Sequence, residues 1–364
     1  MTAAMPNPRA GAPAAPAAAP AGGGAVRRDS RIYLAGHTGL VGGAILRGLQ
    51  SRGYERVITR THAELDLTDQ GRTRALFADE SPEVVIVAAA RVGGILANWE
   101  SPYEFVAENL TIELNTIGEA FRAGVKRLVF LGSSCIYPKL ALQPLKEEYL
   151  LTGPLEETNR AYAIAKIAGI ELCRSLNREY DTDYLSLMPT NLYGPGDNFD
   201  LETSHLLPAL IRKFHEAKVA RGRGLSALSV KAASRLGGAV DPAVGGAPPE
   251  VTLWGTGTPR REMLYVDDLA DAVCLMLEGE SWRDVPDGLL NVGTGQDATI
   301  AELAATVAEV VGYDGPVHWD SSKPDGTPQK LMDVTRIRNL GWQPITGLRD
   351  GIARTYEWFL ANQA

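Results

Sequence analysis

The chain has 364 residues, 45% of them hydrophobic and 22% charged, with a formal net charge of −8 at pH 7. These proportions suit a globular protein of one large domain or two interleaved ones, and the acidic balance argues against a nucleic-acid surface. No apolar stretch reaches the roughly 18 residues a membrane span requires, and three cysteines without a C-x-x-C pair point away from a disulfide framework and towards a reducing cytoplasm.

Residues 1–30 are mostly Ala, Pro and Gly. Such a run cannot bury enough apolar surface to order itself, and it lacks the basic start and Leu-rich core of a signal peptide, so it reads as a disordered tail. Strands and helices then alternate. Arg31–Ala35 predicts a strand and the residues through Leu49 a helix; Arg56–Thr59 is a second strand. "EVVIVAAA" (83–90) is the continuous apolar run of a strand covered on both faces. A helix is expected over Tyr103–Arg122, a fourth strand ending at Ser133, a helix over Tyr162–Tyr180, and a fifth strand at "YLSLMP". This alternation predicts an α/β fold of the Rossmann type, a doubly wound parallel sheet over residues 31–192.

Past Tyr193 the rhythm loosens. "LLPALIRKFHEA" predicts a helix, "VTLWG", "MLYV" and "LLNVG" short strands, and further helices are expected near Asp267–Leu277, Ile300–Val311 and Leu348–Leu360. Residues 193–364 form the expected smaller α/β substrate domain, with segments near 262–295 returning to the first. Residues 218–250, small, basic and rich in Gly and Pro, read as a flexible insertion. With five histidines and no clustered Cys and His, no metal site is expected.

Three constellations carry chemistry. In "AGHTGLVG" the glycines Gly36, Gly39 and Gly42 end a strand and open a helix. A Cβ-free backbone there can approach a pyrophosphate, which the helix N-terminus attracts with free N–H groups and its dipole. A plain strand-to-helix turn would also use glycine, but the strand and helix on either side favour a dinucleotide. In "YAIAK", Tyr162 and Lys166 share a helix face at i, i+4; a neighbouring ammonium favours the phenolate, which would make the tyrosine an acid/base near neutrality. In "LGSSCIYP", Ser133, Ser134 and Cys135 close the fourth strand, at the carboxyl edge of the sheet where open α/β folds bind ligands. The hydroxyls there either bind a carbonyl or merely end the strand, and Cys135 is equally a small buried hydrophobe.

The sequence order of these motifs resembles the extended short-chain dehydrogenase/reductases, the branch acting on nucleotide sugars. The resemblance runs from about Arg31 to the C-terminus, apart from the insertion. It is carried by "AGHTGLVG", "AAARVGGILAN", "FLGSSCIYPK", "YAIAKIAGIELC", "MPTNLYGPGDNF", "SHLLPALIRKFHEA", "VTLWGTGTPRREMLYVDD" and "SKPDGTPQKLMD". "GSSCIYP" and "KPDGTP" are far more specific than the glycines or the Tyr/Lys pair.

The resemblance implies an NADPH-dependent enzyme that epimerises carbons 3 and 5 of GDP-4-keto-6-deoxy-D-mannose and reduces its 4-ketone, giving GDP-L-fucose. It implies Cys135 and His205 as the base and acid of epimerisation, and Ser133, Tyr162 and Lys166 as the reduction group. NADP(H) would lie against Gly36, His37, Thr38, Gly39, Leu40, Val41 and Gly42, against Leu131, Gly132, Ser133 and Ser134, against Lys166 and His205, and along Pro189, Thr190, Asn191 and Leu192. Lys213, Trp254, Arg261 and Asp325 would contact the GDP-sugar; Trp254 as a core residue and Lys213 as a solvated one are the ordinary alternatives. Relatives also pair as homodimers through a four-helix bundle, here the 103–122 and 162–180 helices.

The chain departs from that pattern at Thr38 and His62, where several relatives carry the arginines that hold a 2′-phosphate; Arg60, at the end of the second strand, is the expected substitute. At Lys213 relatives often have arginine, and lysine keeps the charge without the bidentate fork. The rival reading within the family is a 4-epimerase or 4,6-dehydratase with tightly bound NAD, which has no need of the Cys135/His205 pair. More distant is an NADP-sensing regulator without turnover, a reading that the intact Tyr/Lys pair speaks against.

Overall fold

Four consecutive apolar residues, Ile32–Ala35, form β1, buried along its whole length one strand in from the edge of a six-stranded parallel sheet. The computed structural model describes residues 24–201, 203–223, 250–279, 282, 285–323 and 325–364; the expected tail over 1–23 and the expected insertion over 224–249 lie outside them. With β2 (Val57–Ile58), β3 (Val84–Val87), β4 (Arg127–Leu131), β5 (Asp183–Pro189) and β9 (Leu289–Val292), the sheet runs in the order β2-β1-β3-β4-β5-β9, every pairing parallel. All residues of β3, β4 and β5 are buried, as a sheet covered on both faces requires.

One helical layer is α1 (Leu40–Ser51) packed on α7 (Val266–Glu278); the other is α4 (Pro102–Arg122) packed along α5 (Arg160–Tyr180) and against α2 (Gln70–Glu80). A short α3 (Ile95–Glu100) precedes α4. Strand order reverses between β1 and β3, and the crevice beyond the strand ends at that switch is where such folds bind ligands.

A second core is built from later residues. β8 (Arg260–Tyr265) pairs with β10 (Asp297–Thr299) and β12 (Gln329–Lys330) along its first half and with β6 (Asn191–Tyr193) along its second. β7 (Val251–Trp254) pairs with β11 (Val317–Asp320). Around Phe199, Phe214, Val307 and Phe359 gather α6 (Leu206–Gly222), α8 (Ile300–Val311) and α10 (Leu348–Asn362). α8 opens with a capping box between Thr299 and Glu302 and ends at Gly312 in the left-handed conformation. A short α9 (Thr335–Asn339) completes the set. Among the described residues no helix is long and apolar enough to cross a membrane.

Two expectations are corrected. Residues 24–30 are not tail: the Val26 N–H donates to Leu277 O at 2.8 Å, Arg28 pairs with Glu278 at 2.6 Å and covers the Tyr54 ring, and Ser30 is buried. Residues 218–222 are not insertion but the last turn of α6, where Lys218 Nζ donates to Val311 O at 2.8 Å.

Candidate active site

The glycine turn opens at Gly36 (φ +88°). A Cβ there would lie 2.6 Å from Ala89 N, and a Cβ on Gly42 would lie 2.1 Å from Gly36 O. Those two glycines let β1 turn tightly against the chain leaving β3. Gly39 is different: its Cβ would meet nothing closer than Gly36 O at 3.6 Å, an ordinary contact. Gly39 is the N-cap of α1 and supplies no capping side chain; the first turn of α1 holds no acidic residue. Nothing inside the described fold requires that position to be bare. The helix N-terminus is left uncovered, and His37 Nδ1 is buried beside it without a hydrogen-bond partner among the described residues. A turn with a bare cap, free N–H groups and an unmatched imidazole nitrogen fits a dinucleotide diphosphate. Thr38, Leu40 and Val41 complete this turn. Arg60 is not free for a 2′-phosphate as expected: its guanidinium is held by Glu80 of α2 and by the Thr59 carbonyl, the latter at 2.8 Å.

At the end of β4, Leu131 is buried and Gly132 leaves room for Met188, whose Cε a Cβ would meet at 2.1 Å. The chain then enters a tight helical turn, Ser134–Ile136, with Ser133 Oγ accepting from the Cys135 N–H at 3.3 Å. Tyr162 stands half-buried on α5, its ring edge-on to Phe105 at 6.4 Å. Lys166, one turn on, is 2% exposed; its Nζ is 4.7 Å from the Phe130 ring centroid and 5.8 Å from that of Tyr162. Its charge partner is Glu113 of α4, at 3.3 Å.

The expectation that Lys166 makes Tyr162 a readily ionised phenol is corrected. Burial, followed by the neighbouring Cys135 and Glu113, holds the phenol well above its ordinary range. Across from Tyr162, the segment Pro189, Thr190, Asn191 and Leu192 crosses from β5 to β6. The Thr190 N–H donates to Val292 O at 3.0 Å and Asn191 Nδ2 to Glu262 O at 2.8 Å.

Cys135 lines a cavity of about 50 Å³ with Ser134, Tyr137, Glu156, Asn159, Gln329 and Lys330. Its thiol is pushed up by burial, with Lys330, Ser133 and Lys166 pulling the other way. His205 is the N-cap of α6, exposed at the rim of the site; desolvation of its ring, with the Lys330 charge added, keeps it below its ordinary value. Lys330 thus acts on both partners, favouring the thiolate and opposing the imidazolium, while burial and Arg261 disfavour its own charge.

β12 places Lys330 in register with Arg261 of β8, and Arg261 Nη1 donates to Thr327 O at 2.7 Å. Beneath them Glu262, 0% exposed, accepts from the N–H groups of Met332 and Gly295 at 2.8 and 2.7 Å. Asp325 is tied to the β7–β8 turn by Thr256, whose N–H donates to it at 2.6 Å and whose Oγ1 donates at 2.9 Å. Trp254, 67% exposed at the end of β7, carries Lys323 over its ring at 5.5 Å and is not a core residue. Lys213 lies about two turns along α6 from His205, its charge disfavoured by burial.

The structure therefore brings Ser133 and Cys135 to the end of β4, sets Cys135 close enough to act on Tyr162 and to be acted on by Lys166, and couples His205 to Cys135 through Lys330. Lys330, Glu262 and Glu113 are the residues that sequence reasoning passed over. Glu113 had a signal: with Asn109 and Thr116 it shares the stripe of Phe105, Ile112 and Ile117, the buried face of α4.

The profile of the NAD dependent epimerase/dehydratase family matches residues 32–293. The chain is 50% identical to a GDP-L-fucose synthase of Escherichia coli (strain K12), over 92% of this chain and 97% of that one. It is 50% identical to GDP-L-fucose synthase 1 of Arabidopsis thaliana, over 92% and 94%. Among solved structures it superposes with a TM-score of 0.80, at 38% identity, on a GDP-mannoheptose C4 reductase from Campylobacter jejuni with NADP bound, covering 92% of this chain and 99% of that one.

Proposed function

We propose a two-stage reaction for this chain, which belongs to the NAD dependent epimerase/dehydratase family: NADPH-dependent conversion of GDP-4-keto-6-deoxy-D-mannose to GDP-L-fucose, by epimerisation at sugar carbons 3 and 5 and reduction of the 4-ketone. The observation that carries it is a chain of neighbours: Cys135 and Lys330 line one cavity, Lys330 acts on His205, and Cys135 acts on Tyr162, one turn from Lys166. A simple 4-epimerase has no use for the Cys135/His205 pair. Identity of about 50% with curated GDP-L-fucose synthases over most of the chain supports the substrate.

NADPH, when bound, supplies the hydride for carbon 4. Gly36 through Gly42 would hold its diphosphate, Leu131–Ser134 and Pro189–Leu192 would flank its nicotinamide half, and Lys166 would take its ribose hydroxyls. The ketone acidifies the hydrogens on carbons 3 and 5. Cys135 removes a proton from one face and His205 returns one from the other. The pair rests as thiol and imidazole, and one internal proton shift gives the working thiolate and imidazolium, the thiolate favoured by Lys330. Charge gathering on the carbonyl oxygen is met by the Ser133 and Tyr162 hydroxyls, and Tyr162 finally donates its proton to the carbon 4 oxygen. Arg261 and Lys213 pair with the substrate diphosphate, Trp254 stacks on the base and Asp325 fixes the loop beside it.

We further infer a homodimer through α4 and α5, which leave Leu114 and Ile164 54% and 45% exposed. The three free, buried cysteines fit a reducing compartment, and we place the reaction in the cytoplasm.

The test mixes purified protein, NADPH and GDP-4-keto-6-deoxy-D-mannose, follows NADPH oxidation and identifies the sugar, with Cys135→Ser in parallel. GDP-L-fucose is expected, with much slower formation by the variant. An unepimerised deoxy sugar as product would leave a plain 4-reductase and remove the roles of Cys135 and His205. Tightly bound NAD with no NADPH oxidation would move the chain to the 4-epimerase or dehydratase branch.

A further inference from the structure

Lys166 has a nearer partner than the tyrosine it is paired with in sequence. Its ammonium lies 3.3 Å from Glu113 Oε1 and 5.8 Å from the Tyr162 ring centroid. Both charged side chains are at most 2% exposed, and Phe130 closes the space over the ammonium at 4.7 Å. Gly169 makes the arrangement possible: a Cβ there would lie 2.9 Å from Glu113 Oε2 and 2.4 Å from Phe130 Cζ. The carboxylate of α4 thus reaches α5 through a gap that only a glycine leaves. Glu113 Oε1 meets the ammonium as an ion pair at 3.3 Å, and the Gly169 N–H adds a weaker pull on the same carboxylate.

We propose that Glu113 is a positioning residue for the reduction, holding Lys166 in place and cancelling its charge so that Tyr162 remains the phenol that donates the final proton. This rests on the reading of Tyr162 and Lys166 given above. An unopposed ammonium beside a phenol favours the phenolate, which is useful to an enzyme that oxidises an alcohol. A ketone reductase needs the opposite, a tyrosine that still carries its proton when the alkoxide forms.

The titratable groups around the pair are few. From α5 come Lys166, Tyr162 and Cys173; from the turn after β4 comes Cys135, which also raises Tyr162. β4 contributes the uncharged Phe130. Burial raises the Glu113 carboxyl to about 7 against the pull of Lys166. Glu113 therefore gains its charge as pH rises through about 7, and that charge adds to burial and Cys135 in keeping the proton on Tyr162.

The experiment follows hydride transfer in single turnovers of the complete enzyme across pH, for the wild type, Glu113→Gln, Glu113→Asp and Tyr162→Phe. Removing the charge while keeping the volume leaves Lys166 unopposed. The Gln variant should then lose its rate on the alkaline side at least roughly one pH unit earlier than the wild type, a tenfold deficit at that edge, with KM for the GDP-sugar within about twofold. Glu113→Asp, its carboxylate drawn back, should fall between the two, and it serves alone if the Gln variant does not accumulate as folded protein. Alkaline edges that superimpose on the wild type, or rates lowered equally at every pH, would overturn the proposal and leave Glu113 a packing residue. Wild-type rates in Tyr162→Phe would instead refute the site reading itself, and the proposal with it.

Discussion

The glycine turn and the acid/base pocket serve one reaction but are assembled in opposite ways. The turn is a single run, Gly36 to Gly42, shaped by backbone alone: a Cβ on Gly36 or Gly42 would fall 2.6 or 2.1 Å from neighbouring backbone atoms. The pocket draws Cys135 from the end of β4, His205 from the start of α6, Arg261 from β8 and Lys330 from a two-residue strand. A site made from consecutive residues needs only its own conformation. A site made from distant ones needs the register of everything between them, so its weak points lie outside the reacting groups.

The contrast can be broken most severely at the chemistry. Tyr162→Phe should lower NADPH oxidation by about 1,000-fold while solvent deuterium still enters carbons 3 and 5, slowed only by the loss of one of the two hydroxyls that meet the oxygen charge; abolition of both would mean that Tyr162 is the acid of both stages. Next, the turn can be tested against itself. Gly42→Ala should lower stability by about 3 kcal/mol, read as a fall in denaturant midpoint. Gly39→Ala should leave the midpoint nearly unchanged and weaken NADPH binding about tenfold; equal midpoints for the two variants would refute the division of roles. For the pocket, Glu262→Gln should cost about 2 kcal/mol of stability, because an amide nitrogen would face the Met332 or Gly295 N–H. The same variant should raise KM for the GDP-sugar more than KM for NADPH, since it loosens β12 beneath Lys330.

The smallest effect expected concerns pH. Asp197, in the loop leading to α6, has its carboxyl raised to about 7 by burial, and Oδ2 has no partner among the described residues. A carboxyl that holds its proton longer in the folded state than in the unfolded chain makes stability fall as pH rises from about 4 to 7. Asp197→Asn should therefore gain in stability over the wild type as pH rises from 4 to 8, with no difference below pH 4, as thermal melts at the two pH values would show.

The same contrast governs what was legible in the sequence. β1, α1, α4, α5 and α8 announce themselves through continuous apolar runs, helical periodicity or a capping residue, and the motif around Cys135 lies within one such run. The pieces that escaped are short or weakly patterned. α2 buries only Thr73, Leu76 and Phe77, too little for a periodic signal, and its Glu80 is what occupies Arg60. β12 is two residues long, and nothing local says that Lys330 will stand in register with Arg261. The motif "SKPDGTPQKLMD" marked the region without saying which side chain turns inward. The protonation of Tyr162 was misjudged for a related reason: periodicity pairs it with Lys166 along one helix, whereas what holds its proton is burial, then Cys135 of the turn after β4 and Glu113 of the next helix.

β9 and α7 have a consequence for how the molecule is made. The sixth strand of the first sheet is Leu289–Val292, and α7, which covers α1, is Val266–Glu278; both emerge after β6, α6 and β8 of the second core. During synthesis the nucleotide layer cannot close its far edge or cover α1 until nearly three hundred residues have left the ribosome, by which time the second core is half present. Contacts of such long sequence separation form slowly. The two cores therefore mature as a single cooperative event, and a fragment ending near residue 192 should emerge as a chaperone client rather than a free-standing cofactor domain.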